Sequence, residues 1–226
     1  KDGATAFTVT FGTASGATTS NTQGLLAVTT DGSGAAGEIR ITSGAALRLG
    51  VLNTTDADAT TVSVVTTGGA LTVASASALD IDNVTLTGAT GLTVSNTLGL
   101  GSLTASVSGV GDLTVSNTIT TADSATGATG AVGLTTANGN VVVDAAVTTG
   151  TSSTVDGVNA EAGAITVTAG TNGNISGTGS LVTGSATVAV AGLADTAQGG
   201  NITLSGNEIS KVWATAFTAT FGTASR

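Results

Sequence analysis

Short runs in which apolar and polar residues alternate recur along most of the chain. In the first, Phe7, Val9 and Phe11 fall on one side and Thr8 and Thr10 on the other. Ile39 and Ile41, then Leu47 and Leu49, repeat the pattern, with Arg40 and Arg48 facing the other way. Such period-two alternation marks a strand with one buried face. It continues through Leu71/Val73, Leu79/Ile81, Val84/Leu86, Leu92/Val94, Leu98/Leu100 and Leu103/Val107. By contrast, residues 14–37 are Gly, Ser, Thr and Asn around one apolar run, Leu25 to Val28, and read as a loop or an irregular first coil.

The strands recur with a period. Leu-Thr stands at Leu71, Leu92, Leu113 and Leu134, evenly spaced, in the words LTVAS, LTVSN, LTVSN and LTTAN. A fixed period near 20 with several short strands in each is the signature of a solenoid coil. In a parallel β-solenoid those four leucines form one aliphatic column inside. Asn96, Asn117 and Asn138 share the same phase, and stacked amides at a turn can hydrogen-bond along the axis as a ladder. After residue 139 the words GNVVV, GAITV, GNIS and GNITL open strands at less regular spacing, so 148–160 and 191–199 are expected to loop out of similar coils.

One stretch occurs twice. Residues 1–16, KDGATAFTVTFGTASG, and 211–226, KVWATAFTATFGTASR, match at twelve of sixteen positions, at an offset of 210. The rare residues carry the match: both lysines, Lys1 and Lys211, and all four phenylalanines, Phe7 with Phe217 and Phe11 with Phe221. Trp213, the single tryptophan, lies beside the second copy. The reading is one domain over 1–226, with the repeated strand marking a 210-residue period or a junction. Ten coils of the Leu-Thr period would place the two copies on one face, about 48 Å apart at the strand spacing. Phe7, Val9, Phe11, Trp213, Phe217 and Phe221 are then the candidate self-assembly residues, sealing a solenoid end or a joint between copies.

Composition narrows the function. Only 8% of residues are charged, and 40% are hydrophobic. That excludes a solvated disordered chain, while abundant Thr and Val suit pleated strands. A net charge of −9 lacks the basic face that nucleic acid requires. No apolar run has the length of a membrane-spanning helix and no stretch has the layout of a secretory signal, so no membrane insertion is expected. The absence of Cys removes disulfides and thiolate metal sites, and the absence of His removes the commonest general base near neutrality. Asp56 with Asp58, and Asp80 with Asp82, form two Asp-x-Asp pairs that adjacent coils could bring together. They are candidates for calcium or for acid/base work on a polysaccharide. No His or aromatic sugar platform accompanies them, and Arg40 and Arg48 are the only arginines before residue 212, so turn capping explains them more simply. The expectation is therefore a protein that is not an enzyme and carries no cofactor.

The words GNVVVDAAV, GAITVTAG, GNISGTGSLV and GNITLSGNEI, with the LTVSN coils, resemble secreted β-strand-repeat proteins of the filamentous haemagglutinin and large autotransporter-adhesin type. The resemblance implies a long right-handed parallel β-helix on a bacterial surface, in an extracellular fibre or adhesin; it implies no catalytic residue. The duplicated aromatic strand is not part of that pattern. The fold expected is an all-β, right-handed parallel β-helix with coils of about 21 residues, in keeping with the solenoid period. The alternative is a β-sandwich, pilin-like subunit with strand donation. The partner expected is another copy of the chain or a longer tandem array, with contacts to a cell surface or glycan as a further option.

Overall fold

The computed structural model describes residues 7–11, 26–30, 38–54, 61–74, 83–155, 158–188, 195–210, 218–220 and 222–225. Among them there is no helix, and none long and apolar enough to cross a membrane. The chain instead winds through sheets in a fixed order. Its first turn gives β1 (Phe7–Phe11) and β2 (Leu26–Thr30), its second β3 (Glu38–Ser43) and β4 (Leu47–Thr54), its third β5 (Thr61–Thr66) and β6 (Leu71–Val73). The fourth adds a third strand: β7 (Asn83–Gly88), β8 (Leu92–Val94) and β9 (Leu98–Leu100), followed by β10 (Ser102–Val107), β11 (Leu113–Val115) and β12 (Ile119–Thr121). The sixth has five: β13 (Val132–Thr136), β14 (Val141–Val143), β15 (Val147–Thr148), β16 (Ser152–Thr154) and β17 (Ala160–Glu161). The seventh repeats all five as β18 (Ile165–Thr168), β19 (Asn174–Ser176), β20 (Ser180–Val182), β21 (Ala186–Val188) and β22 (Ala197–Gln198). The last turn holds β23 (Ile202–Ser205), β24 (Glu208–Ile209), β25 (Thr218–Thr220) and β26 (Ala224–Ser225).

Like strands of successive turns stack. Sheet A runs β1-β3-β5-β7-β10-β13-β18-β23 and sheet B runs β2-β4-β6-β8-β11-β14-β19-β24. Sheet C is β25-β20-β15-β12-β9, sheet D β16-β21-β26 and sheet E β17-β22. Every pairing among the described strands is parallel. The sandwich alternative is thereby corrected, because its sheets are antiparallel. A coil, by contrast, must re-enter each sheet in the same direction on every turn.

The core is a set of aliphatic columns. In sheet B, Leu47, Leu71, Leu92, Leu113, Val141 and Ile175 pair in register and are all buried, and Ile209 continues the line at the open end. Leu134 is not part of it. It pairs with Ala105 and Val167 in sheet A, although it too is buried. The reason is a change of coil length. In sheet A one in-register series runs Ile39, Val62, Val84, Leu103, Val132, Ile165 and Ile202. The chain between partners shortens as far as Leu103 and lengthens at every step after it. In the last coil the Thr183 hydroxyl meets the Thr220 carbonyl at a sequence separation of 37. The repeated Leu-Thr word is thus in phase with the coils only in the middle, and by residue 134 it falls on a different sheet. Leu26–Thr30 forms a strand within the stretch expected to be a loop or an irregular coil, since Leu26 and Val28 pair with Leu49 and Leu52. Leu79 and Ile81 lie outside the described residues.

A column residue such as Leu113, with no exposed area, has no route by which its neighbours can close over a void. Leu113→Ala is expected to lower the unfolding free energy by about 2–5 kcal/mol. Val110→Thr, at a side chain that is 77% exposed, should change it by less than about 0.5 kcal/mol. Denaturant titration followed by circular dichroism measures both.

Candidate assembly site: ladders, neck and open edges

Asn96 and Asn117 occupy equivalent corners after β8 and β11. Each Oδ1 accepts from the following backbone N–H, Thr97 at 2.8 Å and Thr118 at 2.9 Å. The link between coils is indirect: the Thr97 hydroxyl donates to Asn117 Oδ1 at 3.1 Å. Asn138 is elsewhere, in the exposed turn between β13 and β14, for the same reason of phase that moved Leu134. The ladder of three amides expected at that corner is therefore a pair.

A longer ladder stands at the corner between sheets A and B. Asp112 Oδ1 accepts from both the backbone N–H (2.8 Å) and the Nδ2 (3.0 Å) of Asn140. Asn140 Oδ1 accepts from the Asn174 N–H at 2.9 Å, and Asn174 Oδ1 accepts from Asn207 Nδ2 at 3.4 Å. Each member follows a glycine, at Gly111, Gly139, Gly173 and Gly206. A Cβ at Gly139 or Gly173 would collide with the carbonyl oxygen of the glycine one coil earlier. The GN words at 139 and 173 were the signal in the sequence. Their use as a ladder needed the coil register, since the members are 28, 34 and 33 residues apart.

Where the coils lengthen, the extra chain leaves the main body through a narrow neck. Thr121, Thr149 and Thr183 end the third side in three successive coils, and their hydroxyls donate to Gly130 O (3.0 Å), Gly163 O (2.7 Å) and Gly200 O (2.9 Å). The threonine hydroxyl oxygens in turn accept from the N–H of Gly150 (2.9 Å), Gly184 (3.1 Å) and Gly222 (2.9 Å), each in the next coil. The neck thus closes across each coil and along the axis at once. Beyond it lie the described parts of 122–129, 150–162 and 184–199. The described parts of the loops expected near 148–160 and 191–199 lie there, and they carry strands. β16, β17, β21 and β22 build sheets D and E around a small core of Ala160, Ala162, Ala186 and Val188. Among the described residues its apolar part is alanine and valine, with Ser152, Thr154 and Asp195 buried beside it. Among the described residues every buried side-chain polar atom has a hydrogen-bond partner.

The ends of the sheets are the remaining feature. Among the described strands, β1 and β23 are the outermost of sheet A, and β2 and β24 those of sheet B. At the C-terminal end Ile202 and Leu204 are only partly buried against the core, and Ile209 is 50% exposed, whereas their column neighbours Ile165, Val167 and Ile175 have no exposed area. The expected self-assembly residues fall unevenly on this frame. Phe7, Val9 and Phe11 are in β1, paired with Ile39, Ile41 and Ser43. Trp213, Phe217 and Phe221 lie outside the described residues, but β25 between the two phenylalanines pairs with β20 in sheet C. The two copies of the repeated strand are therefore not on one face, and sheets A and B have eight described rungs rather than ten. Coils that lengthen to 37 residues account for the lower number.

Asp56, Asp58, Asp80 and Asp82 lie outside the described residues. Among the described ones no three acidic or imidazole or thiol groups come together as a metal site. Compared with known protein families, curated proteins and solved structures, the chain matches none of them.

Thr149→Val keeps the shape of the neck but leaves the buried Gly184 N–H and Gly163 O short of a partner. A loss of about 1–3 kcal/mol is expected, with Thr149→Ser close to the native protein. Equilibrium unfolding of the two variants side by side is the check.

Proposed function

We propose that this chain is a structural segment of an extracellular surface filament or adhesin, joined end to end to further copies of itself. It winds as a right-handed parallel β-helix, the hand that parallel crossovers strongly prefer. The single observation carrying the reading is the pair of sheet ends: two eight-stranded parallel sheets whose outermost strands pair on one side only among the described residues, with a partly exposed ledge of Ile202, Leu204 and Ile209 at one end.

A free strand edge is a template for another strand. In a parallel solenoid the two ends are different surfaces, so copies join head to tail, and such joints propagate into filaments unless the rotation closes a ring. Burying the three aliphatic side chains would contribute a few kcal/mol per joint. The same edges serve equally where the copies are consecutive in one polypeptide with a 210-residue period. Low charge and small side chains favour a stiff stacked rod over a catalyst, and the reading includes neither catalysis nor cofactor, nucleic acid or membrane insertion. Its outer faces are available to a cell surface or a glycan.

Eight described rungs at the strand spacing predict fibres with a meridional repeat of ~4.8 Å and an axial period of ~38 Å per copy. Ile202→Lys combined with Leu204→Lys places two charges on the ledge and should leave only monomers in sedimentation velocity and electron microscopy, with an unchanged circular dichroism spectrum. Native protein that stays monomeric at high concentration, or fibres undiminished by the double variant, would count against the proposal.

A further inference from the structure

The repeated strand has two settings, and the contacts of the second are specific enough to say what belongs there. β25 and β26 lie against β20 and β21, with Thr218 opposite Ser180, Ala219 opposite Leu181, Thr220 opposite Val182 and Ala224 opposite Ala186. Between the strands the Gly222 N–H donates to Thr183 Oγ1 at 2.9 Å. A side chain there would run into the Gly184 carbonyl oxygen, so the slot accepts only glycine at this point. The Thr223 N–H and hydroxyl both reach Ser185 Oγ at 3.2 Å, and Ser225 Oγ lies 3.2 Å from Thr187 Oγ1.

Every one of these demands is met at the same spacing near the start of the chain. Residues 8–15 read TVTFGTAS where 218–225 read TATFGTAS, so Thr8, Thr10, Gly12, Thr13, Ala14 and Ser15 match the residues the slot uses. The one difference, Val9 for Ala219, falls opposite Leu181, which is fully buried, and adds apolar bulk at that position. In this chain, however, β1 pairs with Ile39 to Ser43 in sheet A.

We infer that the slot along β20 and β21 is an exchange site for a second copy of this chain, whose residues 8–15 enter it in the register now held by β25 and β26. Thr8 then stands opposite Ser180, Val9 opposite Leu181 and Thr10 opposite Val182, with Gly12 beneath Gly184. The donor's β3 becomes the first strand of its sheet A. The inference rests on the reading that copies join through strands, and adds which strand enters which slot. In a tandem array it makes residues 211–226 the opening of the following period, already docked on the one before.

The chain has no cysteine, so disulfide capture can test this cleanly. The 226-residue chain carrying Val182→Cys and Gly222→Val, the latter to weaken the resident strand, is mixed with a peptide of residues 1–16 carrying Thr10→Cys. Under mild oxidation a mixed disulfide at 182 is expected, reduced at least tenfold when the peptide also carries Gly12→Val. No capture, or equal capture of both peptides, overturns the inference. Should Gly222→Val fail to fold by circular dichroism, Thr223→Ala, which removes only the hydroxyl contact to Ser185, replaces it and the same comparison of peptides decides. Capture is read on monomers, so it is independent of whether the Ile202 and Leu204 ledge forms filaments.

Discussion

The parallel hydrogen-bond ladder between successive coils is the constraint to which the rest of this structure answers. Each coil must lie one strand spacing from the next on every side at once. Any residue that lifts one corner would open the ladder on all sides. This explains why glycines fill the stacked corners at Gly150, Gly184 and Gly222, and at Gly130, Gly163 and Gly200: a Cβ at any of them would collide with the carbonyl oxygen of the residue stacked one coil earlier. It also explains why buried polar groups are mostly threonines. A hydroxyl can accept from one coil and donate across another without adding bulk.

The same constraint shapes the lateral lobe. A coil of 37 residues encloses more space than its aliphatic side chains could fill if it were a single ring. The chain resolves this by pinching, with the Thr121, Thr149 and Thr183 bridges dividing each long coil into a larger aliphatic body and a lobe whose described core is the small cluster of Ala160, Ala162, Ala186 and Val188. Because each bridge also ties one coil to the next, the lobe adds stability along the axis as well as width. The Asp112–Asn140–Asn174–Asn207 ladder does the corresponding work at another corner, on the solvent side.

A body held together by contacts between neighbouring coils has no intrinsic reason to stop. Its internal joints and a joint between copies are the same kind of contact, which is why open edges and a repeated strand together suggest assembly. The inward columns of sheet A end in Ile202 and Leu204, half-covered where earlier coils are closed. The slot on β20 and β21 is filled by residues that the chain also spells near its beginning. Under the assembly proposed above, these are two different ways for one copy to meet another.

Much of this was open to the sequence. Alternation at Leu71/Val73, Val84/Leu86 and Leu92/Val94 marks strands because side chains on a strand must take opposite faces, and the buried residues of each strand could be named from it. The even recurrence of Leu-Thr implied stacking, and Leu71, Leu92 and Leu113 do stack. Irregular spacing pointed to longer coils after residue 139, but not to the first lengthening, between Leu103 and Val132. An inserted lobe changes the distance along the chain between residues that touch, while leaving every local pattern intact. Leu134 and Asn138 therefore kept the right words and lost the right neighbours, and the GN words gave strand starts without showing that Asp112, Asn140, Asn174 and Asn207 touch. The repeated strand was legible as a repeat, but its placement in sheet A at one end and sheet C at the other was decided by tertiary structure alone, because near-identical words pair with whichever edge the preceding coils leave beside them.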